Sequence, residues 1–468
     1  MSGVRVAVIG AGPAGYVAAL RAAQLGAKVT VVDRDEVGGV CLNRGCIPTK
    51  ALLASVNAAA RSREGRRLGV EFGPVRADLK AMMREKEKII VGLRRGIELL
   101  LKKNHIESVR GVAHFKSPRE IEIVRSNGAS ELLNADRAII ASGSGHVLVP
   151  GLGGEADIPA DVRRAFLTSD DCLEMAEVPG SLVVVGAGPI GLEFAYLFAL
   201  LGSAVTVVEM APSILPSEDA EVAAELERQL KKLKIKIRTG TRIERAGTGA
   251  DSVAEVVLSG GEKIAAAAVL VAVGRRPDCA GLGAQGIGIA VEKGGRIGVT
   301  DKMETSAGGV YAAGDVVGGL MLAHKAYAEG VVAAENALGG DSRMDYRAIP
   351  RCVHTEPQVA SVGLCMKDAE ARGIGCKAGV FPFRGLGMGH AGRKTAGLVK
   401  VVAETGTGKL LGVQIVGESA CEMIHEAVLA VRLGLRASEL YSTIHAHPSM
   451  SEAVAEAALA LEGRALHL

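Results

Sequence analysis

The sequence contains no Trp, and only six Tyr and seven Phe among 468 residues. Its cores must therefore be filled mainly by small and aliphatic side chains. Cysteine is sparse as well. Eight Cys are thinly scattered and form no disulfide framework, which points away from a stapled secreted scaffold and toward a reducing cytosol. Apolar runs such as IAAAAVLVAVG are far too short to span a bilayer, so no membrane association is expected. No charged-then-apolar leader precedes the first strand-like segment, and no signal peptide is expected. An excess of one charge is also missing. The 55 basic and 52 acidic residues leave a net charge of +3 with no basic block, so nucleic acid is not an expected partner.

What the chain does have is length, aliphatic content and an internal repeat. At 468 residues it exceeds one ordinary core, and roughly two to four domains are expected. A composition 48% hydrophobic and 23% charged fits a soluble globular protein. VRVAVIGAGPAGYVAALRAAQLGAKVTVVD occupies 4–33, and LVVVGAGPIGLEFAYLFALLGSAVTVVE occupies 182–209. Gly10, Gly12 and Gly15 recur 176 positions later as Gly186, Gly188 and Gly191, and Asp33 recurs as Glu209. Pro13 and Ala14 complete the first turn; Pro189 and Ile190 complete the second. Each copy reads as strand, glycine turn, helix, strand, acid. A bare G-x-G-x-x-G is weak evidence, but this context makes it a dinucleotide-binding pattern. The first glycine permits a tight turn, the second lets a pyrophosphate approach the backbone, and the third lets helix pack on strand. The helix N-terminus offers N–H groups and partial positive charge to the phosphates, and the acid accepts from ribose hydroxyls. Two intact copies imply two dinucleotides, most simply FAD and a nicotinamide.

The segment TSAGGVYAAGDVVGG ends an apolar strand with Gly314 and Asp315, an acid placed to meet a ribityl hydroxyl or the pyrophosphate side of FAD. Two cysteines follow the first copy directly, which assigns FAD to that copy and the nicotinamide to the second. After Glu209 no Arg or Lys appears until Arg228. A 2′-phosphate would need such a cation and would be repelled by Glu209, so NAD is expected rather than NADP.

Those cysteines, Cys41 and Cys46, lie in GGVCLNRGCIPTKALL at 38–53. A metal site needs about four ligands, and two Cys without a nearby His fall short. A structural disulfide is disfavoured in a cytosolic protein. The favoured reading is a redox-active pair. On a regular helix residues five apart have Cα atoms roughly 8–9 Å apart, beyond the ~7 Å a disulfide tolerates. The segment should therefore be a turn entering a helix, whose N-terminus favours thiolate.

This segment resembles the active-site stretch of the pyridine nucleotide-disulfide oxidoreductases. Other motifs fall in that family's order: ASGS at 141, VAVGRRPD at 271, YAAGDV at 311, MLAHKA at 321, TEPQVASVGL, LLGVQIVGESACEMIHEAVLAVRLG and HAHPSMSEAVAEAA. The last set is most similar to the branch that oxidises dihydrolipoyl groups. The resemblance implies that Cys41 is the interchange thiol and Cys46 the thiolate against the flavin. It also implies that Lys50 lies beside the flavin ring and is paired by Glu193. Glu193 aligns with apolar Val17 in the first repeat, which marks it independently.

A dithiol must lose protons to attack a disulfide, and His titrates near physiological pH, best when a carboxylate orients it. His447 with Glu452 supplies such a pair. His445 lies two residues away and spacing does not rank the two; the resemblance selects His447. It implies that this His reaches the disulfide of a second subunit, hence a homodimer. His105, His354 and His425 carry the bland reading. The resemblance adds cofactor contacts at Gly39, Val40, Ala113, Ser142, Gly143, Ser144, Gly274 and the segment Met321, Leu322, Ala323 and His324. Val40, Asp33, Ser142 and Gln358 depart from the family's usual residues.

The expected fold class is α/β: two Rossmann-like domains, the NAD domain inserted in the FAD domain, plus a C-terminal α+β dimerisation domain. Boundaries are expected at 1–149 and 276–345 (FAD), 150–275 (NAD) and 346–468 (dimerisation), with crossings at VPGLGGEADIP and VGRRPD. The implied partners are lipoyl domains of a 2-oxo acid dehydrogenase complex or of the glycine cleavage system. Two alternatives remain. One is another disulfide reductase, for glutathione or mercuric ion; Glu209 argues against the NADP-linked case, and LEGRALHL lacks a cysteine pair for the other. The second is a chain that serves mainly as a binding subunit of a multienzyme complex.

Overall fold

The computed structural model describes residues 3–147, 165–248 and 253–468. The VPGLGGEADIP junction lies outside the described residues. The chain divides into two compact units, one of Met1–Leu52, Lys80–Val147 and Gly274–Asp345, the other of Leu53–Leu79, Leu148–Val273 and Tyr346–Leu468.

In the first unit, β-branched runs such as RVAVI and KVTVVD form a five-stranded parallel sheet. Its order is Val310–Ala312, Arg137–Ile140, Arg5–Ile9, Lys28–Asp33, Glu107–Arg110. The strands are apolar on both sides because both faces are covered. Val6, Val8, Val31 and Ile139 pack on alanines of the Pro13–Gln24 and Ala323–Ala337 helices. Ala7, Ile9, Val32 and Ile140 pack on Phe115, Ile121 and Ile123 of a three-stranded antiparallel meander. Alanine at the helix faces brings these layers close. On the Ala323–Ala337 helix, a Cβ at Gly330 would lie 2.4 Å from Ala14 O, so only glycine fits that crossing.

The second unit repeats the plan with Lys236–Arg238, Ala204–Val208, Ser181–Val185, Ala268–Val271 and Phe166–Leu167, again all parallel. Its C-terminal part is a five-stranded antiparallel sheet, ordered Arg351–Val353, Gln358–Gly363, Leu410–Gly417, Leu398–Glu404, Cys376–Pro382. The helices Ala420–Leu433 and Glu452–Ala460 bury Ile424, Ala427, Val454 and Ala457 in the core that Val399, Val401 and Ile415 of this sheet share. Four of the scarce aromatics are fully buried in this unit: Phe381 and Phe383 in the antiparallel part, and Phe194 and Phe198 on the Pro189–Leu201 helix, where they stack at 6.4 Å. The architecture is thus the expected α/β class with a C-terminal α+β part.

Among the described residues, ion pairs of Lys400 with Asp219 and Glu221 and of Arg351 with Glu218 tie the Ala220–Lys232 helix to that antiparallel sheet. Asp219 caps the helix by accepting from Glu221 N–H at 3.0 Å, and both its oxygens accept from Lys400 Nζ at 3.0 and 3.1 Å. The preceding Glu218 takes Arg351 at 2.7 Å. Lys400 and Asp219 are both buried, at 6% and 4% exposure. Removing one partner of such a pair strands a buried charge. Lys400→Met is therefore expected to destabilise the protein by about 3–5 kcal/mol, and Lys400→Met with Asp219→Asn, which keeps a helix cap, to recover part of the loss. Thermal unfolding of the three proteins measures this.

Candidate active site

Both glycine turns are built to hold an anion. The third glycine of each is a steric necessity: a Cβ at Gly15 would lie 1.8 Å from Gly10 O, and one at Gly191 would lie 2.0 Å from Gly186 O. The helices that follow begin at Pro13 and Pro189, and their N-caps, Gly12 and Gly188, carry no capping side chain. The first-turn N–H groups are thus left for an external acceptor, as a pyrophosphate requires. Around Gly188 a Cβ would meet no atom within 4 Å, the open cradle that a phosphate needs.

The acids do more than expected. Asp33 accepts from Ala11 N–H at 2.5 Å and from Asp35 N–H at 2.9 Å. Glu209 accepts from Ala187 N–H at 2.7 Å and from Ala211 N–H at 2.7 Å. Each carboxylate thus cross-ties the middle of its glycine turn to the end of the second strand, while each oxygen keeps a lone pair for a ribose hydroxyl. Burial raises the Asp33 carboxyl above its ordinary value, although both N–H donors oppose it.

The thiol segment is two helices broken at one residue. Gly39–Arg44 carries Cys41, Gly45 leaves helical geometry, and Cys46 opens the helix Cys46–Glu64. The break brings the two sulfurs into hydrogen-bond contact, which an unbroken helix would forbid. That hydrogen bond to Cys46, then burial, pushes the Cys41 thiol well above its ordinary value, while the charge of Lys50, one turn beyond Cys46, opposes the shift. The helix start belongs to Cys46 by position; Cys41 lies one helix earlier. The cysteine helix docks on the first turn through glycine. A Cβ on Gly39 would lie 2.6 Å from Gly12 Cα, and Gly38 N–H donates to Ala11 O at 2.8 Å. Val40 is the next residue of that short helix.

Of the remaining first-unit candidates, Ser142 and Gly314 lie just beyond the C-terminal ends of parallel strands, where such sheets bind ligands. Ala113, in the meander strand Val112–Ser117, lies two residues after Gly111, whose N–H donates to Asp33 O at 2.8 Å. Ser142 Oγ donates to Asp278 O, and Ser144 Oγ donates to Asp315 Oδ2, both at 2.6 Å. Gly143 has φ +81° with open space around it, as does Gly274 at φ +124°. Gly314 leads into the turn Gly314–Val317 that bears Asp315. Met321 and Leu322 lead into the Ala323–Ala337 helix; Leu322 is an uncapped N-cap, and Ala323 and His324 form its first turn.

In the second unit Glu193 is 4% exposed and accepts from His354 N–H at 2.9 Å. His354, given a bland reading above, thus matters through its backbone, which residue type alone does not reveal. Lys50 belongs to the first unit. Gln358 accepts from Cys421 N–H at 3.1 Å, joining its strand to the Ala420–Leu433 helix.

The structure separates the two histidines that spacing left equal. His445 is nearly buried and uses both ring nitrogens, Nδ1 on Thr443 O at 2.9 Å and Nε2 on Glu426 Oε2 at 3.0 Å. His447 is 76% exposed and uses only Nδ1, on Glu452 Oε1 at 2.8 Å. Its Nε2 has no partner among the described residues and is available for proton transfer. Glu452 is fixed in turn by Ser449 N–H at 2.9 Å. Burial acts to raise the Glu452 carboxyl, but Ser449 N–H and His447 bring it below its ordinary value.

Comparison with known proteins decides the family. Residues 4–330 match the pyridine nucleotide-disulphide oxidoreductase model, and residues 349–458 match the dimerisation domain of the same family. The chain belongs to the pyridine nucleotide-disulphide oxidoreductases. It is 41% identical to the mitochondrial dihydrolipoyl dehydrogenase of Pisum sativum over 99% of this chain and 92% of that one. It is 43% identical to the dihydrolipoyl dehydrogenase of Thermus scotoductus over 98% of both. Among solved structures it is similar to LpdA from Mycobacterium tuberculosis, with TM-score 0.89 and 28% identity over 97% of this chain and 99% of that one. Among the described residues of this oxidoreductase no helix is long and apolar enough to cross a membrane.

Glu426 also sets a pH dependence. Its hydrogen bond raises the pKa of His445 above the ordinary 6.5, against the effect of burial. A raised histidine pKa adds stability below 6.5 that fades as pH rises through the folded-state value. The stability advantage of wild type over Glu426→Gln is expected to be about 1.5–3 kcal/mol at mildly acidic pH and smaller at alkaline pH. Urea unfolding at a series of pH values measures it; an advantage that grows with pH would contradict the assignment.

Proposed function

We propose that the chain is an NAD-dependent dihydrolipoyl dehydrogenase, which oxidises protein-bound dihydrolipoyl groups to the lipoyl disulfide. The observation that carries this reading is the Cys41–Cys46 contact on a helix break docked against the first glycine turn. The names and full-length identity of the relatives support the substrate class.

In the half-reaction a substrate thiolate attacks Cys41 of an oxidised Cys41–Cys46 disulfide, and Cys46 leaves as thiolate. The second substrate thiolate then displaces Cys41, which closes the lipoyl disulfide and leaves both cysteines reduced. His447 Nε2 accepts the proton that each attack requires, while Glu452 on Nδ1 orients the ring and favours its charged form. Bound FAD supplies the two-electron relay from thiol pair to nicotinamide that no side chain provides. The residues that would hold it are the Gly10–Gly15 turn, Asp33, Gly39, Val40, Ala113, Ser142, Gly143, Ser144, Gly314, Asp315 and 321–324, with Lys50 beside the ring. Gly186–Gly191, Glu193 and Glu209 would hold NAD. Glu209, which no Arg or Lys follows in sequence before Arg228, disfavours a 2′-phosphate.

The exposed His447 lies within the dimerisation-domain match, which supports a homodimer in which each copy lends this residue to the other. Lipoyl domains of a 2-oxo acid dehydrogenase complex or of the glycine cleavage system would be the partners. Eight thinly scattered cysteines that form no disulfide framework in the sequence suit a reducing cytosol.

Added anaerobically to the yellow protein, dihydrolipoamide is expected to produce a long-wavelength charge-transfer band, and NAD added afterwards should appear as NADH. A flavin that stays oxidised with dihydrolipoamide but is bleached by NADH would assign the thiols to another acceptor. Cys46→Ser is expected to lower dihydrolipoamide turnover by at least about a thousandfold while NADH-to-dye reduction persists. Loss of both activities would contradict the division of labour between thiols and flavin.

A further inference from the structure

Asp315 is held from two directions. Its side chain is held through Oδ2, which accepts from Ser144 Oγ at 2.6 Å. That hydroxyl accepts in turn from Arg275 Nε at 2.8 Å, and Arg275 Nη2 donates to Ser144 O at 2.6 Å. Oδ1 has no partner among the described residues. The backbone of the acid is held differently. The turn Gly314–Val317 is bracketed by Gly314 at φ +84° and Gly318 at φ +72°, so the chain there has little conformational preference of its own. Lys325 and Glu329, one turn apart on the Ala323–Ala337 helix, grip both ends. Glu329 Oε2 accepts from Gly314 N–H at 2.8 Å. Lys325 Nζ donates to Glu329 Oε1 at 2.9 Å, to Gly318 O at 3.0 Å and, more weakly, to Gly314 O at 3.5 Å.

This ion pair is sealed in the core, with side-chain exposure of 2% for Lys325 and 0% for Glu329. Such a pair adds little net stability compared with well-packed apolar residues, because both charges lose their hydration. Stability therefore does not account for it, whereas the contacts it makes do. Both residues act on the backbone flanking one carboxylate. Their helix is itself locked to the first glycine turn, since Gly330 packs on Ala14 and a Cβ on Gly314 would touch Ala14 Cβ at 3.0 Å.

We propose that Lys325 and Glu329 are positioning residues of the flavin site: the buried pair clamps the Gly314–Gly318 turn and so fixes where Asp315 presents its remaining oxygen to FAD. The proposal rests on the assignment of FAD to the first glycine turn. The clamp does not touch the cofactor; it acts through Asp315 alone.

The test is a mutant cycle read by the FAD dissociation constant of the full-length protein, with the flavin absorption spectrum recorded alongside. Lys325→Met with Glu329→Leu removes both charges together, so neither is stranded. It is expected to weaken FAD binding by about tenfold, the worth of a hydrogen bond to a charged group. Asp315→Asn should weaken it comparably. The triple variant should be no weaker than the more affected parent, because effects that share one path do not add. Lys325→Met with Glu329→Gln keeps an acceptor for Gly314 N–H and should fall between the first variant and wild type. FAD binding within twofold of wild type in a folded Lys325→Met/Glu329→Leu protein would overturn the clamp, as would losses that multiply in the triple variant. If that variant does not fold, Lys325→Met/Glu329→Gln decides: weakened binding upholds the clamp, and binding within twofold of wild type overturns it. Wild type that binds no FAD would overturn the flavin assignment and the clamp with it, whereas wild type that binds FAD beside an unaffected variant would overturn the clamp alone.

Discussion

Gly12 and Gly39 approach so closely that no side chain fits between them: a Cβ on Gly39 would lie 2.6 Å from Gly12 Cα. Gly12 ends the turn that offers N–H groups to a dinucleotide, and Gly39 starts the short helix that carries Cys41. Backbone against backbone is a stiff contact, since it contains no rotamer that could yield. The dinucleotide turn and the thiol pair are thereby fixed to each other before any ligand arrives. The helix break at Gly45 then sets the second thiol against the first. Geometry of this kind is what two-electron exchange needs, because reacting atoms must meet without a search.

Around this contact the molecule spends polar groups on backbone rather than on solvent. Asp33 and Glu209 hold the N–H groups of Ala11 and Ala187, Glu193 holds that of His354, and Glu452 holds that of Ser449. In each case a carboxylate proposed for ligand chemistry also fixes a stretch of backbone. An unpaired N–H in these turns would be costly, so the acids belong to the fold as much as to the reaction.

What was legible in the sequence follows from range. The two strand–turn–helix–strand–acid runs are local, and their periodicity and glycine spacing appear within about thirty residues, so both parallel sheets and their ligand-binding ends could be anticipated. That Cys41 and Cys46 do not share one regular helix was also legible, since five residues of unbroken helix cannot bring two sulfurs together; the turn expected before Cys46 is instead a short helix, Gly39–Arg44, that ends at Gly45. The polar ties were not. Glu193 meets His354 across 161 positions, Ser144 meets Asp315 across 171, and Lys400 meets Asp219 across 181. No spacing rule reaches that far, and the backbone of His354 has no residue-type signature at all. The two histidines of HAHP differ only in exposure and in spent ring nitrogens, properties that arise from the surrounding fold.

On the proposed function, Glu209 has a double duty with a consequence for how coenzyme preference could evolve. To accept a phosphate on the adenosine ribose, a descendant would have to lose this acid and gain a cation. Losing the acid also removes the acceptor for Ala187 N–H and Ala211 N–H, and with it the brace of the glycine turn. The first mutational step would thus loosen the site for either coenzyme before the second could reward it. A lineage carrying this turn is steered away from a change of reductant pool by its own folding, unless a new acceptor for those two amides arises first.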